Sequence, residues 1–246
     1  IRSSAFDSRA SSDSERMTLD GAVNKTAIML AILISTAAIS WNFPSPLIVM
    51  LSYIGIFAAA IASVATFGFW MPFIGFIINP RPYLAPKTWL VFAFGEGFFI
   101  GLISLSFETM FPGIVLEAVS LTFCVAATLL FLYKSGIVKP SQNFVLMVCS
   151  AVFGIFLFYI GTLIYSLVTG VSPEIFSGSS NASIGLSLFI VAMAAFSLVL
   201  DFDIIEQSAE YGSPKYMEYF GAMALVTTLI WLYIEILRLL AKFRSR

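Results

Sequence analysis

The chain has 246 residues, of which 59% are apolar and only 11% charged, with a formal net charge of −1. Soluble domains average roughly 45–50% apolar and about 25% charged residues, so this composition, with a mean hydropathy of +0.96, is that of a membrane protein. No basic run tracks phosphates, which argues against nucleic acid as a partner, and there is no histidine, so any pH sensing has to come from carboxylates.

Residues 1–24 carry Arg2, Asp7, Arg9, Asp13, Glu15, Arg16 and Asp20 and have no apolar core of the signal-peptide kind. They are expected as a polar cytoplasmic tail, followed by a single transmembrane domain over residues 25–246. A crossing helix needs about 20 predominantly apolar residues. Punctuation by Pro, Gly and charge then divides the domain into seven spans, at 25–42, 46–68, 87–107, 114–133, 143–168, 183–203 and 216–240. After the second span, "FWMPFIGFIINPRPYLAP" is apolar but broken by five residues, Pro72, Gly75, Pro80, Pro82 and Pro86. It is expected either to extend that helix with a kink or to dip back as an interfacial segment.

Lys and Arg in short loops report orientation. The tail, the loop with Arg81 and Lys87, and the loop with Lys134 and Lys139 read as cytoplasmic, whereas the alternate loops near residues 43, 110 and 175 hold only Glu108 and Glu174. Six spans alternate cleanly. Seven crossings would place Lys242, Arg244 and Arg246 outside, so a re-entrant last segment competes with the full crossing that its length favours. On the third span, Gly97 and Gly101 form a small-xxx-small pair, expected to serve close helix packing. Cys124 and Cys149 lie inside apolar spans and are expected as free, small hydrophobes rather than a disulfide.

An ionisable residue at membrane depth costs at least a few kcal/mol, so each one needs a reason. Glu96 on the third span is either a hydrogen-bonded acid or part of an ion path. Glu117 sits one turn into the fourth span, where a helix N-terminus favours a carboxylate. Glu206, Glu210 and Glu218 read as a solvated acidic face. Asp201, Asp203 and Glu235 are the acids of interest, in "FSLVLDFDIIEQSAE" and "TTLIWLYIEILRLLAKF". Glu235 precedes Arg238 by three positions, so an intrahelical pair is one outcome. The other is that Arg238 snorkels outward and leaves Glu235 facing inward, close to Asp201. Two carboxylates together in a dry interior cannot both ionise cheaply, and would titrate as one coupled unit sharing a proton.

These residues resemble the Bax inhibitor-1 or transmembrane Bax inhibitor motif family, particularly its bacterial YccA-like branch. The resemblance rests on "AFDSRASSDSERMTLDGAVNKT", on the stretch from "APKTWLVFAFGEGFFIGLISLSFETM" through "FLYKSGIVKPSQNF", and on "LVLDFDIIEQ" paired with "WLYIEILRLL". It implies an all-α membrane protein, a seven-transmembrane-helix bundle with the last helix central, acting as a pH-sensitive calcium leak channel in the bacterial inner (plasma) membrane. The family's gating pair of aspartates falls on Asp201 and on Glu235, a glutamate where the family has aspartate. Relatives also carry an arginine in helix two that engages the first aspartate, and the second span here has no basic residue.

Asp203, Glu206 and Glu96 are further candidates for the ion path. Weak calcium coordination is expected at Asp201, Asp203 and Glu235, with calcium as the transported ion rather than a cofactor. A competing reading, also implied by the resemblance, is a regulator that binds a membrane-bound AAA protease through the N-terminal tail. A proton-coupled carrier would use the same acids. A retinal photoreceptor is excluded because the last span has no mid-span lysine, and no nucleophile and base stand at a spacing that suggests an enzyme.

Overall fold

A computed structural model describes residues 16–67, 81–171 and 173–246. Among these, seven helices are long and apolar enough to cross a membrane: α1 (Leu19–Asn42), α2 (Pro46–Phe67), α3 (Ala85–Met110), α4 (Ile114–Lys134), α5 (Gln142–Thr169), α6 (Asn181–Glu210) and α7 (Met217–Arg244). Helix is the structure a single segment forms in hydrocarbon, because it satisfies every backbone polar group within itself. Buried hydroxyls follow the same logic. Thr26, Thr66 and Thr122 donate to the carbonyls of Ala22, Ala62 and Ala118, four residues earlier on their own helices, at 2.9, 2.8 and 2.7 Å.

The seven predicted spans all form, with bounds that move in informative places. A single 3-10 turn, Pro82–Leu84, leads into α3. The predicted kink or interfacial dip over residues 69–80 and the tail segment 1–15 expected to engage a protease lie outside the described residues. α6 runs seven residues past its predicted end at 203, carrying Asp203, Glu206 and Glu210 on the same helix. α5 ends where Gly170 takes a φ of 71° as its C-cap, a left-handed conformation that glycine adopts without strain. α7 is the most buried of the seven and α6 the next.

The chain divides into two compact units. The first comprises residues 1–103 and 203–226, the second residues 104–202 and 227–246. In the first unit α1 starts at Leu19, six residues before its predicted start, because Thr18 caps it. The Thr18 hydroxyl accepts from Gly21 N at 3.0 Å. Met17, buried at 4% exposure, packs with Ala22 and Ile205, and its N–H donates to Ser213 O at 2.7 Å. The described part of the expected tail, residues 16–24, thus packs within this unit.

Glu218, expected on a solvated face, is buried at 2% exposure. Its Oε1 accepts from Thr18 N at 3.0 Å and Thr18 Oγ1 at 3.1 Å, and its Oε2 from Lys25 Nζ at 2.6 Å. The carboxylate thus sits on the N-terminus of α1, where the helix dipole favours negative charge, and Lys25 lies 4.6 Å above the Tyr219 ring. Gly21 makes room for it, since a Cβ there would collide with the Glu218 carboxylate. The close packing expected of Gly97 and Gly101 is present: a Cβ on Gly97 would strike Thr36 and Leu33, and one on Gly101 would strike Ser40 and Ala37. Gly55 and Gly95 bring α2 and α3 into the same kind of backbone contact, with the Gly55 Cβ position 3.0 Å from Gly95 Cα.

In the second unit Ile155, Ile190 and Met193 form a core joined by Tyr159, Phe196 and Trp231. Glu108 caps α4, accepting from Gly113 N at 2.6 Å and Val115 N at 3.1 Å. Glu117 pairs with Arg244 at 2.7 Å, the structural role expected of it, and Arg244 also donates to Pro112 O at 2.6 Å. Lys242 is buried against Ser187 Oγ at 2.8 Å and Ser183 O at 3.3 Å, and Arg246 reaches Ser179 O at 3.2 Å and Asn181.

α7 is one unbroken helix of 28 residues, long and apolar enough to cross a membrane, as its length led one to expect. Its first turn is tied to the start of α1, and its last turn to the starts of α4 and α6. Lys242, Arg244 and Arg246 are each held by protein groups. Cys124 and Cys149 are free, as expected, and lie on exposed faces of their helices.

Two measurements test this packing. Glu218→Ala leaves Lys25 without its anion and is expected to cost about 3 kcal/mol, seen as a lower melting temperature of the detergent-solubilised protein. Gly97→Val forces α1 from α3 and is expected to cost about 1–3 kcal/mol, whereas Gly154→Ala, with nothing within 4 Å of the added Cβ, costs none. Equal melting temperatures for the two glycine variants would contradict the close approach.

Candidate functional site

Among the described residues, two buried side-chain oxygens have no hydrogen-bond partner: Asp201 Oδ2 and Glu235 Oε2. Both belong to the second unit, the first on α6 and the second on α7. Leaving a buried carboxylate oxygen bare costs its desolvation penalty with nothing in return. These are therefore the positions at which the fold itself leaves a demand for a proton or a cation.

Glu235 is held on its other oxygen. Oε1 accepts from Tyr159 Oη at 2.7 Å and from Arg238 Nη1 at 2.8 Å, while Arg238 Nη1 also stands 3.2 Å from Tyr159 Oη. The Arg238 guanidinium lies 5.9 Å from the centre of the Tyr159 ring. Tyr159 projects from α5, so one hydroxyl ties α5 to α7 at the acid. The ion pair Glu235–Arg238 is the i,i+3 pair that the spacing allowed, with Glu235 2% and Arg238 27% exposed. Arg238 thus turns back to Glu235 and does not snorkel away from it.

Asp201 has a different environment. Its hydrogen-bond partner is the Thr228 side chain on α7, and no cationic side chain pairs with it among the described residues. Thr228 precedes Glu235 by seven positions, two helical turns along one face of α7, a rise of about 10 Å. Asp201 is thus held by Thr228, and Glu235 by Tyr159 and Arg238, each through one oxygen.

Asp203 accepts from Gln207 Nε2 at 2.6 Å on α6 and belongs to the first unit, as do half-buried Glu206 and Glu96. Among the described residues no three His, Cys, Asp or Glu side chains come together as a metal-binding group. Tyr159 and Thr228 were missed because an aromatic and a hydroxyl in apolar helices carry no sequence signal for contact with a particular acid. The one available hint was the seven-residue spacing that puts Thr228 and Glu235 on a common face.

The profile of the family described as Bax inhibitor 1 like matches residues 1–245. The chain belongs to that family. No curated protein and no solved structure matches it. A family-wide match over a chain with seven apolar helices makes this a multi-pass integral membrane protein of the Bax inhibitor-like type.

Asp201→Asn keeps the shape of the side chain and its contact with Thr228 while removing the charge. It is expected to raise the melting temperature in detergent at pH 8, because the bare oxygen no longer needs a counter-charge. A lower melting temperature would show that the ionised carboxylate is required by the fold.

Proposed function

We propose that this Bax inhibitor-like protein is a pH-sensitive cation leak channel passing calcium, with Asp201 and Glu235 as the groups at which protons and cations compete. The observation that carries the reading is the pair of buried, unpartnered oxygens, Asp201 Oδ2 and Glu235 Oε2. A protonated acid satisfies its own bare oxygen and holds cations off. An ionised one attracts a cation to the same atom, so proton concentration sets which occupant is present. With no histidine in the chain, carboxylates are the groups left to respond to pH across the physiological range.

Calcium fits the donor chemistry, since it takes about 6–8 oxygen ligands and the acids supply hard anionic oxygens. So few protein ligands leave most of the ion's hydration in place, and binding is weak enough for release, as conduction requires. Asp203 and Glu206 follow Asp201 on α6 and offer further carboxylates along the same helix. Lys and Arg in the tail and alternate loops support a cytoplasmic N-terminus, and the resemblance to the bacterial branch of the family supports a bacterial inner membrane. No catalytic role is assigned.

Purified protein in calcium-loaded liposomes is expected to release calcium in a pH-dependent manner. Asp201→Asn and Glu235→Gln should each flatten most of that dependence while the protein remains folded. A pH response unaltered in both variants would eliminate these acids as the sensor.

A further inference from the structure

Thr228, Glu235 and Lys242 stand seven residues apart on α7, so they follow one face of the helix at a rise of about 10 Å per step. Thr228 holds Asp201, and Glu235 is the second half-satisfied acid. The third member is a cation. Lys242 is buried at 6% exposure, and its ammonium donates to Ser187 Oγ at 2.8 Å and to Ser183 O at 3.3 Å, both in the first two turns of α6 and within the second unit. Both acceptors are neutral. Among the described residues no carboxylate pairs with Lys242: Glu117 is taken by Arg244, Glu235 by Arg238, and Glu108 by the amides that open α4.

Burying an ammonium without a counter-ion is costly. The start of α6 adds to the cost, since that end carries the positive pole of the helix dipole, and the negative pole at the end of α7 offsets only part of it. An apolar side chain of similar length would fill the same space with neither penalty. Packing alone therefore does not account for the charge, whereas its field reaches the neighbouring charged groups, because Lys242 interacts electrostatically with both Arg238 and Glu235.

We propose that Lys242 is a fixed internal cation that holds other cations back from the acids along α7 at the C-terminal end of that helix. The assignment rests on the cation-leak reading and adds a barrier to it. One unit charge acting over about 10 Å, at the effective dielectric of a protein interior, lowers the population of a second cation beside Glu235 by on the order of tenfold. This repulsion needs no coordination by protein ligands and no change in the Glu235–Arg238 pair. The hydrogen bonds to Ser187 and Ser183 keep the charge in place.

The test uses the full chain in liposomes loaded with calcium and with carboxyfluorescein. Lys242→Met is expected to speed calcium release about tenfold and to leave release of the dye, a bulky anion, unchanged. Lys242→Arg keeps the charge, and Ser187→Ala breaks the same contact between α6 and α7 without touching the charge. Both should leak like the parent chain. If Lys242→Met fails to fold, Lys242→Gln removes the charge while keeping a donor for Ser187, and the same increase is expected.

Calcium release from the parent chain that stays at the same rate in Lys242→Met and Lys242→Gln would overturn the barrier and leave the leak reading standing. Equal acceleration in Ser187→Ala, or dye escaping together with the calcium, would also overturn it, since a loosened contact and not a lost charge would then be the cause. No calcium release from the parent chain or from either neutralised variant would overturn the leak reading, and this inference with it.

Discussion

A carboxylate carried into an apolar interior has to be matched oxygen by oxygen, because the membrane offers no water to complete a partial set. Three acids in this chain show what that demand does. Glu218 has both oxygens filled, one by the Thr18 backbone and hydroxyl and the other by Lys25. Glu235 has one oxygen doubly filled and one bare, and Asp201 has Thr228 on one side and a bare oxygen on the other. A fully matched acid is a structural fastener. A half-matched one leaves chemistry undone.

This contrast separates the two ends of α7. Its beginning is pinned to α1 by a satisfied carboxylate, and its last turn is pinned by Lys242 to Ser187 and by Arg244 to Glu117. The residues between those fasteners include Thr228, Glu235 and Arg238. The acids between them, unlike Glu218, are incompletely satisfied.

The counter-charge at Glu235 comes from its own helix. Glutamate stands at the α7 position and no basic residue lies on α2. A cation is nevertheless present at the acid, supplied by Arg238 from the same helix. The longer glutamate side chain reaches Arg238 one turn further along α7 and Tyr159 on α5, so the acid's local counter-charge comes from its own helix. No group of three or more His, Cys, Asp or Glu side chains forms a metal-binding cluster among the described residues.

Length and hydropathy by themselves determined the seven helices, since spanning a bilayer depends on a local run of apolar residues. Pro and Gly punctuation placed most of their ends within a few residues, and the Gly97 and Gly101 spacing told where backbones meet. The acids were legible as anomalies, and Asp201 and Glu235 as the ones to watch. Only the tertiary structure decided what each acid became. Glu218 turned from a solvated charge into a buried fastener through a residue 200 positions away, and Glu235 gained Tyr159 of α5 as a partner that no sequence pattern announces. The reason is physical: helix formation is settled by neighbours along the chain, whereas the cost of a buried charge is settled by whichever side chains the fold brings to each oxygen.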